Sequence, residues 1–216
     1  MSLRKLPEKI RKVAYQPKTS FRACDGHRDL SPEYAYGRHR GPAPSNTHRA
    51  AVMIALIPTE DHQWAIPLTL RPTNMVDHGG QVSLPGGRAE PSETPWQTSC
   101  REFGEELGCE THSLLPVGFL SPIYVYASRH VVEPIISVCR NSIEFHPNPE
   151  EVAELLYLPL SELIAENAIR MGTLRKGSFH FEAPGFHIGE HFVWGATAMI
   201  LGELRRLVRS LVYGHE

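Results

Sequence analysis

Three glutamates, Glu102, Glu105 and Glu106, stand at i, i+3 and i+4 within TPWQTSCREFGEELGC, residues 94–109. On a helix this spacing gathers three carboxylates on one side, where like charges one turn apart repel. No lysine lies in the segment, and the charges fall toward its C-terminal end, where the helix dipole disfavours anions. A cation relieves both problems. All-oxygen ligands favour a hard ion, Mg2+ or Mn2+, which keeps some waters and also takes substrate phosphate oxygens. Glu102 and Glu106, one turn apart, are the primary candidate ligands, and Glu105 is a further ligand or a base. The alternative for any such trio is a solvated acidic face.

The elements that must position these carboxylates are legible around them. Thr94 can cap a helix, Pro95 suits its first position and Gln97 completes a capping box, while Gly108 can adopt the left-handed conformation that stops it. The spacing therefore predicts a helix from Pro95 to Leu107. Trp96, Cys100, Phe103 and Leu107 form a narrow apolar stripe for the core, with the glutamates on roughly the opposite side. Upstream, Ala50–Pro58 reads as a buried strand and Trp64–Arg71 as a second. The loop from His78 to Gly87 then brings four glycines to the edge of the acidic helix. Glycine lets a backbone carbonyl approach a metal closely; the plainer alternative is a connector needing positive φ.

Downstream, Leu114–Leu120 and Val131–Val138 read as strands, punctuated by Ser121-Pro122 and by residues 127–130. Asn148 to Leu156 leads into a strand ending near Pro159, and on the way Glu151 or Glu154 either approaches the metal from the opposite wall or is a solvated edge charge. A short helix starts at Pro159, a hairpin spans Phe179 to Phe186, and His180, His187 and His191 read as ordinary polar residues. Trp194–Tyr213 is the last helix, with Ala198, Leu201, Leu204 and Val208 inward and Arg205, Arg206 and Arg209 as a solvated face. Residues 1–48, punctuated by prolines and opening with a short basic helix, form an N-terminal extension to a main domain of residues 49–213. This order of elements predicts an α/β fold, a mixed sheet covered by helices on both sides.

Composition narrows the classes. A 41% apolar fraction in 216 residues supports a sizeable core, and a net charge of −2 with a pI near 6.6 points to neither a nucleic-acid nor a membrane surface. No run of 18 apolar residues and no export signal is present, so a soluble, cytoplasmic location is expected. Cys24, Cys100, Cys109 and Cys139 show no CxxC pairing and read as small buried hydrophobes in a reducing compartment.

Gly87, Glu93, Arg101-Glu102, Phe103, Glu105-Glu106, Gly108 and Cys109 fill nine specified positions of the Nudix box, seven of them as identities. The chain thus resembles a Nudix hydrolase over about residues 50–210. That resemblance implies the Nudix-type α/β/α sandwich, and it implies metal-dependent hydrolysis of a nucleoside diphosphate linked to X. It also implies a Glu93–Arg101 salt bridge fixing the loop against the helix and a metal contact from the Gly86 carbonyl.

Leu68-Thr69-Leu70-Arg71, the His78–Gly87 segment, the Asn148-Pro149 lead-in to Glu151-Val152-Ala153-Glu154, and Trp194–Leu201 further resemble the coenzyme A pyrophosphatase branch. Val76 departs from it where arginine is usual, and so does Pro72. This finer resemblance implies Arg71, His78 and Gly87 as substrate-binding residues. The expected substrate is coenzyme A or an acyl derivative, giving 3′,5′-ADP and (acyl-)4′-phosphopantetheine. The alternatives are another nucleoside diphosphate derivative such as ADP-ribose, or a non-catalytic nucleotide-sensing module, although no box carboxylate is lost. The partner expected is a small nucleotide, with a homodimer among the assemblies allowed.

Overall fold

The computed structural model describes residues 5–14, 25–32, 43–60, 63–75, 78–139, 143–176 and 179–214; Val76 and Cys24 lie outside the described residues. Its centre is β1 (His48–Pro58), an apolar run buried on both faces, as a central strand must be. β7 (His130–Cys139) runs parallel to it in register from His48↔His130 to Leu56↔Val138. On its other side β1 pairs with β2 (Trp64–Leu70) only at Ile57↔Ala65 and Pro58↔Trp64. Lower down, β4 (Gly86–Arg88) takes that place, with Ala50↔Arg88 and Val52↔Gly86. β1 therefore exchanges one neighbour for another along its length.

β3 (Val82–Ser83) and β8 (Glu154–Pro159) flank β2, while β5 (Leu114–Phe119) and β6 (Ile123–Val125) pair with β7. The eight strands form one mixed sheet, parallel at β1–β7 and antiparallel elsewhere. β9 (Ile169–Lys176), β10 (Phe179–Ile188) and β11 (His191–Val193) form a separate antiparallel sheet, in which Phe179 to Phe186, expected to be a hairpin, is one strand because it pairs with β9 along its whole length and with β11 at its end. β6 follows Ser121-Pro122, which sequence reading took as punctuation only; it exists because Ile123 and Tyr124 bury against β7.

α1 (Leu6–Ala14), α2 (Asp25–Asp29), α3 (Pro95–Leu107), α4 (Leu160–Ile164) and α5 (Gly195–Tyr213) complete the chain. Successive β1 side chains alternate between two cores. Met53 and Ala55 meet Phe103 and Leu107 of α3, whereas Ala50, Ile54 and Leu56 share a larger core with Leu201 and Leu204 of α5. The sheet thus lies between helices, an α/β/α sandwich.

The larger core also takes Leu6 and Ile10 of α1 and Leu30 just after α2. Lys9 Nζ donates to the Leu211 carbonyl at 3.0 Å, and an added Cβ at Gly26 would sit 2.7 Å from the backbone of Gly202 and Glu203. The arginines of α5 are not a free solvated face. Arg205 and Arg209 donate to the carbonyls of Ala165 and Ile164 at 2.9 and 2.8 Å, and Arg206 pairs with Asp29 at 2.6 Å. They close the end of α4 and hold α2, which no local pattern reveals.

Candidate active site

Helix α3 begins and ends as its residues dictate. The Thr94 hydroxyl accepts the Gln97 N–H at 3.3 Å, the Gln97 side chain accepts the Thr94 N–H at 2.9 Å, and Gly108 stops the helix at φ 58°. The stripe is shifted from its expected position: Phe103 and Leu107 are buried, but Trp96 and Cys100 are half-buried, and Thr98 and Ser99 go inside instead. The glutamates are split accordingly. Glu105 is exposed, whereas Glu106 is only 3% exposed and faces the β2–β3 side of the sheet rather than solvent.

Arg101 organises the acidic residues. Nε and Nη2 grip the two oxygens of Glu93 at 2.8 and 3.1 Å, while Nη1 donates to Glu102 Oε1 at 2.8 Å and to Glu105 Oε2 at 3.0 Å. Nη2 also donates to the Arg88 carbonyl at 3.0 Å. The cation relieving the cluster is thus partly supplied by the chain itself, since two of the three glutamates share this guanidinium. The absence of a lysine hides this, and the resemblance implies only the Glu93 bridge for Arg101. The fork of Arg101 first, and then the Glu90 N–H and the Thr98 hydroxyl, hold the Glu93 carboxyl down at about 2.

Glu106 has the opposite environment. Burial pushes its pKa up to about 7, against the Gly86 N–H and Arg71, and the charges of Glu102 and Glu151 push the same way. Its two oxygens accept only long hydrogen bonds, from the Gly86 N–H at 3.2 Å and the Thr69 hydroxyl at 3.3 Å. Burial also raises Glu102, with Arg101 opposing and Glu105 and Glu151 reinforcing. The Glu102 carboxylate lies where a Cβ on Gly87 would fall, so glycine at 87 is what admits it.

Of the other expected residues, Gly86 meets the site through its N–H and has φ 148°. Arg71 lies close enough to bias Glu106, and its Nε is buried without a hydrogen-bond partner. His78 sits at φ 60° in the loop with its Nδ1 3.0 Å from Gln81 Oε1. Between the two candidates on the far wall, Glu151 is the one whose charge reaches Glu102 and Glu106. Its Oε1 accepts Asn148 Nδ2 at 3.1 Å, and the Asn148 N–H donates to the Glu106 carbonyl at 2.9 Å. Glu154 instead pairs with His191 at 3.1 Å. Thr69, which alternation with Leu68 and Leu70 sets on the other face of β2, is nonetheless buried and donates to Glu106 Oε2 at 3.3 Å.

The carboxylates present fit a hard cation shared with a ligand better than a protein-only cage. The charges of Glu102 and Glu151 raise the affinity of Glu106 for positive charge, the buried Arg71 Nε near Glu106 lacks a partner, and carboxylate oxygens keep spare lone pairs. Among the described residues, no three or more His, Cys, Asp or Glu form a ready-made metal cluster.

A NUDIX domain profile matches residues 47–177. A Nudix hydrolase of Yersinia enterocolitica named NudL, and called uncharacterized, is 31% identical over 169 residues, which covers 78% of this chain and 85% of the relative. The corresponding Photorhabdus laumondii protein is 30% identical over 170 residues, covering 76% and 87%. Among solved structures, a Nudix hydrolase from M. smegmatis, RenU, superposes with a TM-score of 0.53 at 16% identity, covering 84% of this chain and 96% of that one. A MutT/nudix family protein from Enterococcus faecalis gives the same TM-score, 0.53, at 14% identity over 84% and 70%.

Proposed function

Because the chain belongs to the Nudix hydrolase family, enzymes that cleave phosphoanhydrides, we propose that it hydrolyses the diphosphate of coenzyme A or an acyl-coenzyme A. The products are 3′,5′-ADP and (acyl-)4′-phosphopantetheine. The observation that carries the chemistry is the buried, weakly bonded Glu106 carboxylate facing Glu102, beside an unpartnered Arg71 Nε. Support for the substrate is the segment Leu68–Arg71 with His78–Gly87, which runs past those carboxylates.

Glu102 and Glu106, with the Gly86 carbonyl, would hold Mg2+ or Mn2+, and Glu105 is the outer member of the set because its side chain is exposed, away from the buried Glu106. The bound ion neutralises diphosphate charge and lowers the pKa of a coordinated water. Arg71 supplies a buried donor that orients the diphosphate. Arg101 fixes the loop bearing Gly86 and Gly87 against α3 through Glu93 and the Arg88 carbonyl.

For the base, Glu151 is better supported than Glu105. Asn148 holds its Oε1, which leaves Oε2 to take a proton, and its charge reaches the two buried carboxylates. In the step, the water oxygen forms a bond to phosphorus, the P–O anhydride bond breaks toward the leaving phosphate, and the water proton passes to Glu151.

The test is turnover of a panel of nucleoside diphosphate derivatives with Mg2+ or Mn2+. Rapid cleavage of coenzyme A supports the reading. Rapid cleavage of ADP-ribose with none of coenzyme A overturns the substrate while keeping the chemistry. No turnover of any member overturns both.

A further inference from the structure

A second group of side chains stands at the end of the sheet next to the carboxylates and takes no part in holding them. His48 and His130 are registered partners on β1 and β7, their ring centroids 5.4 Å apart. Arg88 on β4 is registered with Ala50, two residues along β1 from His48. Cross-strand partners and alternate residues share a face of a sheet, so Arg88, His48 and His130 project from one face of three adjacent strands. The opposite face carries Gly87, against which Glu102 lies, and the Arg49–Glu133 pair at 3.1 Å. The two groups therefore occupy opposite faces of the same strand end, joined by the Gly87-Arg88 peptide.

Four cationic or ionisable nitrogen side chains converge here. Arg88, His48 and His78 all disfavour the charged form of His130, and so does its burial, the largest effect, against a hydrogen bond to the Ser128 carbonyl. Among the described residues, no carboxylate pairs with Arg88, His48 or His130. Elsewhere the molecule answers such arginines directly: Arg101 has Glu93, Arg206 has Asp29 and Arg49 has Glu133. A concentration of donors without an internal anion, next to a site for a diphosphate, is the arrangement that receives a further anionic group of the same ligand.

We propose that Arg88, His48 and His130 form a subsite for a phosphate monoester outside the scissile diphosphate, and so select nucleotides bearing a ribose phosphate. This rests on the coenzyme A reading only for the identity of the substrate. The subsite itself concerns any nucleotide with a second, separate phosphate. Arg88 supplies a permanent charge from an exposed position, and the half-buried His130, whose one N–H already goes to the Ser128 carbonyl, donates to the anion from its second nitrogen once a proton is taken up with the ligand.

The experiment compares 3′,5′-ADP with 5′-AMP by isothermal titration to the full chain without divalent ion. It uses the wild type, Arg88→Ala and the double variant His48→Gln/His130→Gln, each checked by thermal melting. The wild type should bind 3′,5′-ADP about tenfold tighter, the size of one charge-assisted contact, and each variant should bring the ratio near one. Arg88 is exposed, so its variant tests the proposal even if the double variant melts early. Equal binding of the two nucleotides by the wild type overturns the proposal. So does a preference that survives Arg88→Ala.

In the kinetic arm, the ratio of kcat/KM for coenzyme A over its 3′-dephospho form should fall toward one in Arg88→Ala. If the wild type cleaves neither compound, the substrate reading fails. A tenfold preference for 3′,5′-ADP would still stand for the subsite.

Discussion

Glu106 and Glu203 are both carboxylates buried to within 4% of complete enclosure, on helices that pack against opposite faces of one sheet, yet their surroundings differ in kind. Glu203 is answered on all sides. It accepts the Ser121 N–H at 2.9 and 3.1 Å and the Ser121 hydroxyl at 2.9 Å, and His27 Nε2 lies 3.1 Å away. Glu106 has two longer contacts, with other carboxylates for neighbours. Burial alone does not mark a site; burial left incompletely answered does. One glutamate stabilises the fold; in the proposed function the other is kept for charge that arrives with a ligand.

Breaking the two in parallel separates these roles. Glu106→Gln should lower kcat on the order of 10³-fold while leaving the melting temperature of the metal-free protein unchanged or higher, because a buried charge has been removed. Glu203→Ala should do the reverse. Leaving His27 and Ser121 without their acceptor costs about 3 kcal/mol, roughly 6–12 °C in Tm, with kcat of the folded enzyme retained. If Glu203→Ala instead abolishes turnover at full stability, the contrast is wrong.

Arg101→Lys comes next. It keeps the charge but loses the fork, so about a tenfold to hundredfold loss in kcat with a modest fall in Tm is expected by steady-state kinetics and melting.

The pH response sharpens the comparison further. The Glu106 pKa is raised by folding from 4.5 to about 7, so its contribution to stability is fully present below 4.5 and is lost as pH rises through 7. The metal-free protein should therefore melt a few degrees higher at pH 5.5 than at pH 8, and Glu106→Gln should flatten that dependence. The Arg101 fork holds Glu93 down at about 2, so its stabilising effect is intact across this window and is lost as pH falls from 4.5 through 2. The same protonation should weaken Mg2+ binding below about pH 7, which calorimetry checks. The smallest effect is Thr94→Ala, about 1 kcal/mol from the lost cap.

What could be read from the residues alone was local. Thr94, Pro95, Gln97 and Gly108 fix both ends of α3 through contacts within a few positions, and the bounds Pro95–Leu107 follow from them. The apolar run of β1 and the four carboxylates Glu93, Glu102, Glu105 and Glu106 with Arg101 are likewise legible, whereas Phe179 to Phe186 forms one strand and not the expected hairpin. What was not visible depends on distant partners. Glu106 turns inward because Thr69 and Gly86 await it from other strands, Thr98 and Ser99 are buried where the stripe favoured Trp96 and Cys100, and the α5 arginines seek carbonyls of α4. Periodicity says which face is inside, not which neighbour is there.

The contact between Gly26 and Gly202, backbone against backbone with Leu30 beneath, links the earliest-made part of this fold to the latest. On the ribosome, α2 emerges long before α5, so His27 and Leu30 wait for Glu203 and Gly202 until the strands between them have been made. A chain stalled before residue 195 thus leaves α2 without its partner, while α1 can still lie against β5, where a Cβ at Gly118 would meet Ile10 and Ala14.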